Sequence, residues 1–168
     1  WRFSFGAQHA LTPTTKLEIA QELDLTDDVT IELWAQTGFA NTKLFDSSGR
    51  IYLARNGNNE LECGINGGGG GQRVAGKSRL DAEWHHLACT LDAKGNLRVY
   101  VDGDVDDCEE LETSIDTSRT GTTLLTGGLA GALDSVHVYR RGLSAAEICT
   151  LSGRASCKVT CPSNSPGG

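Results

Sequence analysis

The chain has 168 residues and carries 15 Lys and Arg against 22 Asp and Glu, a formal net charge of −7. With 21 Gly, no Met, 6% aromatic and 22% charged residues, it is a turn-rich globular chain that lacks collagen's strict glycine period and the composition of a disordered one. The acidic balance repels phosphate backbones and anionic membranes, and no window reaches the roughly 18 apolar residues of a membrane span, which argues against nucleic acid as a partner and against membrane insertion.

Residues 16–20 begin a pattern of period-two alternation that predicts strands almost throughout. In the run 29–36, Val29, Ile31 and Leu33 share one face, while Thr30, Glu32 and Trp34 share the other. Runs 43–46, 50–55 and 60–65 follow, separated by Ser-Ser-Gly and Asn-Gly-Asn-Asn, both hairpin turn signals. The glycines from Gly67 to Gly71 lack the Lys-Ser or Lys-Thr pair and the helix that a phosphate-cradling loop needs, so they read as a flexible hairpin tip. Runs 85–92 and 96–102 flank Ala-Lys-Gly as the clearest hairpin, and 122–126 and 132–140 complete the set. The one helical stretch is 144–151, where Ser144 and Glu147 have the spacing of a capping box. From Gly153 onward Ser, Pro and Gly dominate, which divides the chain into a domain, 1–152, and a Cys-containing tail, 153–168. The opening Trp1-Arg2-Phe3-Ser4-Phe5 lacks the regions of a secretion signal, so the sequence reads as processed or excised from a longer protein. Many short strands and one short helix predict an all-β fold, a two-sheet antiparallel β-sandwich of jelly-roll type.

The six cysteines, Cys63, Cys89, Cys108, Cys149, Cys157 and Cys161, read as disulfides, since no His follows His137 to complete a zinc pattern. Disulfides persist in oxidising compartments, which places the chain outside the cell or at its surface. Cys63 and Cys89 sit mid-strand in what reads as one sheet neighbourhood, so their bridge is expected, with a stabilisation of about 3 kcal/mol. A Cys157–Cys161 ring would be tight. The other four cysteines should therefore supply at least one link from tail to body.

Three blocks, DLTDDVTIELWAQ (24–36), EWHHLACTLDAKGNLRVYVDG (83–103) and GGLAGALDSVHVYRRGLSAAEI (127–148), resemble in order and spacing the laminin-G-like members of the concanavalin-A-like lectin and glucanase superfamily. The resemblance covers roughly residues 3–151 and implies a secreted jelly roll of the kind often attached to enzymes or adhesins. It also implies a structural Ca2+, with Asp134 in GALDSVHVY and carbonyls near Gly6 as its ligands. An Asp within an apolar strand needs a partner in any case.

Glu110 and Glu112 face the same way, as the carboxylate pair of a glycosidase must, but they read as a solvated edge. His85 and His86 face opposite sides of a strand and cannot share a metal. No Gly-x-Ser-x-Gly elbow is present, and the expectation is that the protein is not an enzyme. Asp102, Asp104 and Asp106 read as a solvated turn, and Trp34 and Trp84 as core packing, with Trp84 closing the sandwich edge. Leu143 and Ile148 are expected to plug one end of the core. A sugar site needs aromatic faces beside amides and charged groups, for which the candidates are Trp34, Phe39, Tyr52, Arg55, Asn56, Asn58 and Asn59. The leading functional expectation is a non-catalytic extracellular recognition or adhesion module that binds a glycan or an extracellular protein. The alternative is a structural subunit of an extracellular fibre or coat, forming a homo-oligomer or filament, and a glycoside hydrolase comes third.

Overall fold

The computed structural model describes residues 2–3, 9–11, 16–19, 23, 25, 28–67, 70–111, 123–127 and 131–162. Among these, two antiparallel sheets face each other. The first contains β1 (Arg2–Phe3), β2 (His9–Leu11), β4 (Val29–Thr37), β9 (Trp84–Leu91), β10 (Asn96–Val101), β11 (Asp104–Glu110) and β13 (Gly131–Tyr139). Its order is β1-β13-β4-β9-β10-β11, with β2 also pairing with β13. The second contains β3 (Lys16–Ile19), β5 (Thr42–Ser47), β6 (Ile51–Arg55), β7 (Glu60–Gly67), β8 (Gly70–Arg79) and β12 (Thr123–Gly127), in the order β3-β12-β5-β6-β7-β8. At the glycine run, Gly67 of β7 pairs with Gly70 of β8.

Alternation decides what lies between the sheets. Val29, Ile31, Leu33 and Ala35 of β4 point inward with Leu87, Cys89 and Leu91 of β9 and Leu97 and Val99 of β10, and they meet Leu44, Phe45, Ile51, Leu53, Leu61 and Ile65 of the second sheet. Cys63 is bonded to Cys89 within this core. The bridge does not stay in one sheet neighbourhood as the sequence suggested. It joins β7 of the second sheet to β9 of the first, and so ties the two layers together.

The sandwich is also closed along one edge, where β11 of the first sheet meets β8 of the second. Asp106, almost fully buried, accepts the Lys77 N–H at 2.9 Å, the Ser78 N–H at 3.1 Å and the Ser78 hydroxyl. Gly76 is required there, because a Cβ would overlap the Asp106 carboxylate. Asp106 therefore does not sit in a solvated, self-repelling turn, and the partly exposed Asp102 and Asp104 each have partners. Asp102 binds the His85 ring at 2.9 Å and the His86 N–H at 3.0 Å, while Asp104 takes Arg154 and the Lys158 N–H, both at 2.7 Å.

Helix α1 (Ala145–Leu151) starts at Ser144, which caps the Glu147 N–H while Glu147 reaches back to the Ser144 N–H. Leu143 and Ile148 do not plug the main core. They cover the outer face of the first sheet, where with Ala88, Tyr100 and Val105 they form a second apolar cluster. The tail continues over β11: Cys108 is bonded to Cys161, Cys149 to Cys157, and the Val105 N–H donates to the Lys158 carbonyl at 2.8 Å. Residues 153–162 are thus held by backbone hydrogen bonds as well as by cysteines.

Candidate functional site

The outer face of the second sheet has no such cover among the described residues. A cavity of about 490 Å³ opens on it, lined by Tyr52 and Ala54 of β6, Thr42 and Lys43 of β5, Glu62 of β7, Arg73 of β8, and the loop residues Asn41, Asn56 and Asn58. Strand register builds its floor. Tyr52 stands opposite Gly64, and Gly64 opposite Arg73, so the three form one row across three strands. Because Gly64 has no side chain, the Tyr52 ring lies down across the sheet; a Cβ at position 64 would overlap it.

Polar groups surround that ring. The Tyr52 hydroxyl donates to Glu62 Oε1 at 2.8 Å, Arg73 stands 3.8 Å from Glu62, and Lys43 Nζ is over the ring, 5.6 Å from its centroid. Lys43 also pairs with Asp46. Burial, then the hydrogen bond to Glu62 and its negative charge, push the Tyr52 phenol up to about 12, so it stays a neutral donor at physiological pH.

Of the residues expected at a sugar site, Tyr52, Asn56, Asn58 and Arg55 line this cavity. Arg55 is nevertheless committed elsewhere. Its guanidinium is buried, and it donates to the carbonyls of Thr37, Asp81 (3.2 Å) and Leu80 (2.7 Å) and to Asn59 Oδ1 (3.2 Å). Burial also lowers its proton affinity, against the charge of Asp81. Arg55 is therefore a fixed part of the cavity wall, and Asn59, which accepts from it, does not line the cavity. Asn56 shapes the turn as well, its side-chain carbonyl accepting the N–H groups of Asn58 (2.9 Å) and Glu60 (3.0 Å). Phe39 is 58% exposed but does not line the cavity. Asn41, Lys43, Glu62 and Arg73 were missed. Outward alternation marks each of the three strand residues, but only the pairing of β5, β6, β7 and β8 brings them to one place.

Trp34 lies on the other sheet, and neither it nor Trp84 belongs to the core. Both are half-buried on the outer face of the first sheet, which corrects the core-packing expectation for this pair. Beside Trp34 the same face buries a carboxylate. Glu32 accepts from or pairs with His86 Nε2 at 2.8 Å, His137 Nδ1 and the Tyr139 hydroxyl at 3.4 Å. Burial raises the Glu32 carboxyl, but its hydrogen bonds to His86 and His137 outweigh that and hold it below the ordinary carboxylate value.

Gly6 and Glu112 lie outside the described residues. Asp134 Oδ1 accepts the Ser135 N–H at 2.7 Å, and the described residues contain no group of three or more His, Cys, Asp or Glu placed to hold a metal. Calcium takes six to eight oxygens, backbone carbonyls among them, and the carbonyls near Gly6 expected beside Asp134 lie outside the described residues. Glu110 is exposed at the sheet edge.

A family model described as the concanavalin A-like lectin/glucanases superfamily matches residues 7–149, most of the chain, and the chain belongs to that superfamily. No curated protein sequence matches it. Among solved structures, the carbohydrate-binding module CBM40 of the Ruminococcus gnavus IT-sialidase superposes with a TM-score of 0.75 at 13% identity, over 91% of this chain and 98% of that one. Domain 4 of AbnA, an extracellular GH43 arabinanase of Geobacillus stearothermophilus, solved in complex with arabinotriose, gives 0.69 at 16% identity over 90% and 80%. The binding domain of botulinum neurotoxin serotype G gives 0.63 at 13% identity, over 82% of this chain and 39% of that one. At these identities the likeness is one of fold.

Proposed function

We propose that this member of the superfamily is a non-catalytic glycan-binding module that works outside the cell, with its binding surface around Tyr52. The observation that carries the reading is the Tyr52 ring laid flat over Gly64 inside a cavity whose walls are amides and charged side chains. A sugar ring has apolar C–H faces and a hydroxyl rim. The phenol offers it a face, Glu62 accepts from its hydroxyls, and Arg73, Asn41 and Asn58 donate to them. Lys43, half exposed on a flexible stem, gives way to the sugar or donates to it.

Two further observations support the reading. Structures of similar fold were solved with sialyllactose in one case and arabinotriose in the other. Three disulfides suit an oxidising, extracellular setting. Hydrolysis by the retaining route needs two carboxylates about 5 to 5.5 Å apart across the bond, whereas Glu62 is the one carboxylate among the described residues lining the cavity. The carboxylate of Glu32 is occupied by two imidazoles.

A glycan array of the wild-type chain, followed by calorimetric titration of its best ligand, tests the proposal. Tyr52→Ala and Glu62→Gln are each expected to weaken binding at least tenfold while the fold persists by circular dichroism. Unchanged affinity in both variants, or release of reducing ends from the bound glycan, would refute it.

A further inference from the structure

The outer face of the first sheet carries a second cavity, of about 310 Å³, lined by Trp34, Trp84, Asp134 and Ser135. Trp34 stands opposite His86 on β9 and Asp134 on β13, and Trp84 stands opposite Gln36 of β4. The two indoles are thus diagonal neighbours on adjacent strands, both half-buried and both outside the sandwich core. Large aromatic surface left partly open on a sheet face is what ligand contact would cover.

The polar side of this cavity is built by an irregularity in β13. In a regular strand Asp134 and Ser135 would point to opposite faces. Here the pairing of β13 with β4 shifts register between Asp134 and His137, and Ser135 takes the left-handed region at φ 50°. As a result the two consecutive side chains line one cavity. A bulge of this kind re-aims side chains at a cost in backbone energy, and such features gather at binding sites. The Ser135 N–H holds Asp134 Oδ1 at 2.7 Å, and among the described residues Oδ2 takes no hydrogen bond.

The aromatic wall is fixed as firmly as the polar one. Trp34 meets the His86 ring edge-on, with centroids 5.4 Å apart and planes at 63°. His86 is fully buried and is held by Glu32, which His137 and Tyr139 grip in turn. The indole is thus oriented before any ligand arrives, which lowers the entropy cost of binding.

We propose that Trp34, Trp84, Asp134 and Ser135 form a second saccharide site, for a neutral hexopyranose, on the sheet opposite the Tyr52 cavity. The sugar stacks a C–H face on indole, presents adjacent hydroxyls to the Asp134 carboxylate and exchanges a hydrogen bond with the Ser135 hydroxyl. The cavity lies at the small end of the roughly 300–1,000 Å³ range of ligand sites, which fits a single pyranose or the end unit of a chain. Two sites on opposite faces let one module engage two chains, or a surface at two points, with a gain from effective concentration. This second site stands independently of the first.

Cellotriose, mannotriose and galactotriose, each titrated to millimolar concentration with intrinsic tryptophan fluorescence as the readout, test the site. At least one is expected to shift the emission and protect it from iodide quenching. Trp84→Ala and Asp134→Asn are expected to reduce that response at least tenfold, and Tyr52→Ala to leave it intact. Asp134→Asn preserves volume, so it speaks to the site even if Trp84→Ala unfolds the chain. Four results would overturn the proposal: no response to any of the three sugars, a response that survives both variants, a response abolished by EDTA, or a response to a proline-rich peptide and to no sugar.

Discussion

The two outer faces of the sandwich treat their polar residues in opposite ways. On the first sheet, α1, the tail and the flanking aromatics remove much of the face from water, and most buried polar groups there are paired: Glu32 with His86, His137 and Tyr139, and the Thr90 hydroxyl with that of Tyr100 at 3.2 Å, while His86 Nδ1 has no partner among the described residues. On the second sheet, Lys43 and Arg73 extend into water and pair with Asp46 and Glu62, which keep some exposure. Burial makes an unpaired polar group expensive, so the first face pairs most of its buried groups, while water can complete the second. The difference locates adaptability. The Tyr52 face presents polar groups that water can reach, and the first face offers the slot beside Trp34 and Trp84.

The largest expected effect separates the two carboxylates. Glu32→Ala strips two imidazoles and a phenol of their common acceptor inside the protein and should cost about 3 kcal/mol, lowering Tm by roughly 10 °C. Glu62→Ala, at a wetter site, should cost less than about 1 kcal/mol. Chemical denaturation of both variants measures this. Equal losses would mean that the faces do not differ as described.

Gly64→Ala sharpens the comparison on the open face. The new methyl group overlaps the Tyr52 ring and must lift it off the sheet. Stability should fall by about 1–2 kcal/mol, while glycan affinity falls at least tenfold, as for loss of the ring itself. Unaltered affinity would show that the laid-down ring is not what the ligand meets.

The smallest effect lies at the end of the covered face. The Arg141 guanidinium and the Ser144 N–H and hydroxyl hold the Glu147 carboxyl down at about 2, against an ordinary value of 4.5. A depressed carboxylate adds stability that is fully present above the ordinary value and lost as pH falls toward the lowered one. Between pH 4.5 and 2 the wild type should therefore lose slightly more stability than Glu147→Gln. Parallel acid dependence of the two proteins in urea melts would remove the capping ion pair from the account.

Local pattern determined a good deal of this protein without any coordinates. Alternation in residues 29–36 set which side chains of β4 face inward, the Ser144 and Glu147 spacing set the helix start, and the odds against a Cys157–Cys161 ring set a tail linked to the body. Each rests on neighbours a few residues apart, where backbone geometry alone dictates direction. Tertiary structure decided the rest, because those features depend on residues far apart in the chain meeting at one place. The Cys63–Cys89 bridge spans two sheets, and Asp106 is buried only because β8 and β11 close an edge. Glu32 finds His137 across 105 positions, and Arg55 is consumed by carbonyls at the end of β4 and in the loop after β8. Trp34 and Trp84 left the core for the same reason: only the pairing of β4 with β9 puts them on one outward face, and only the packing around it says how much of that face stays open.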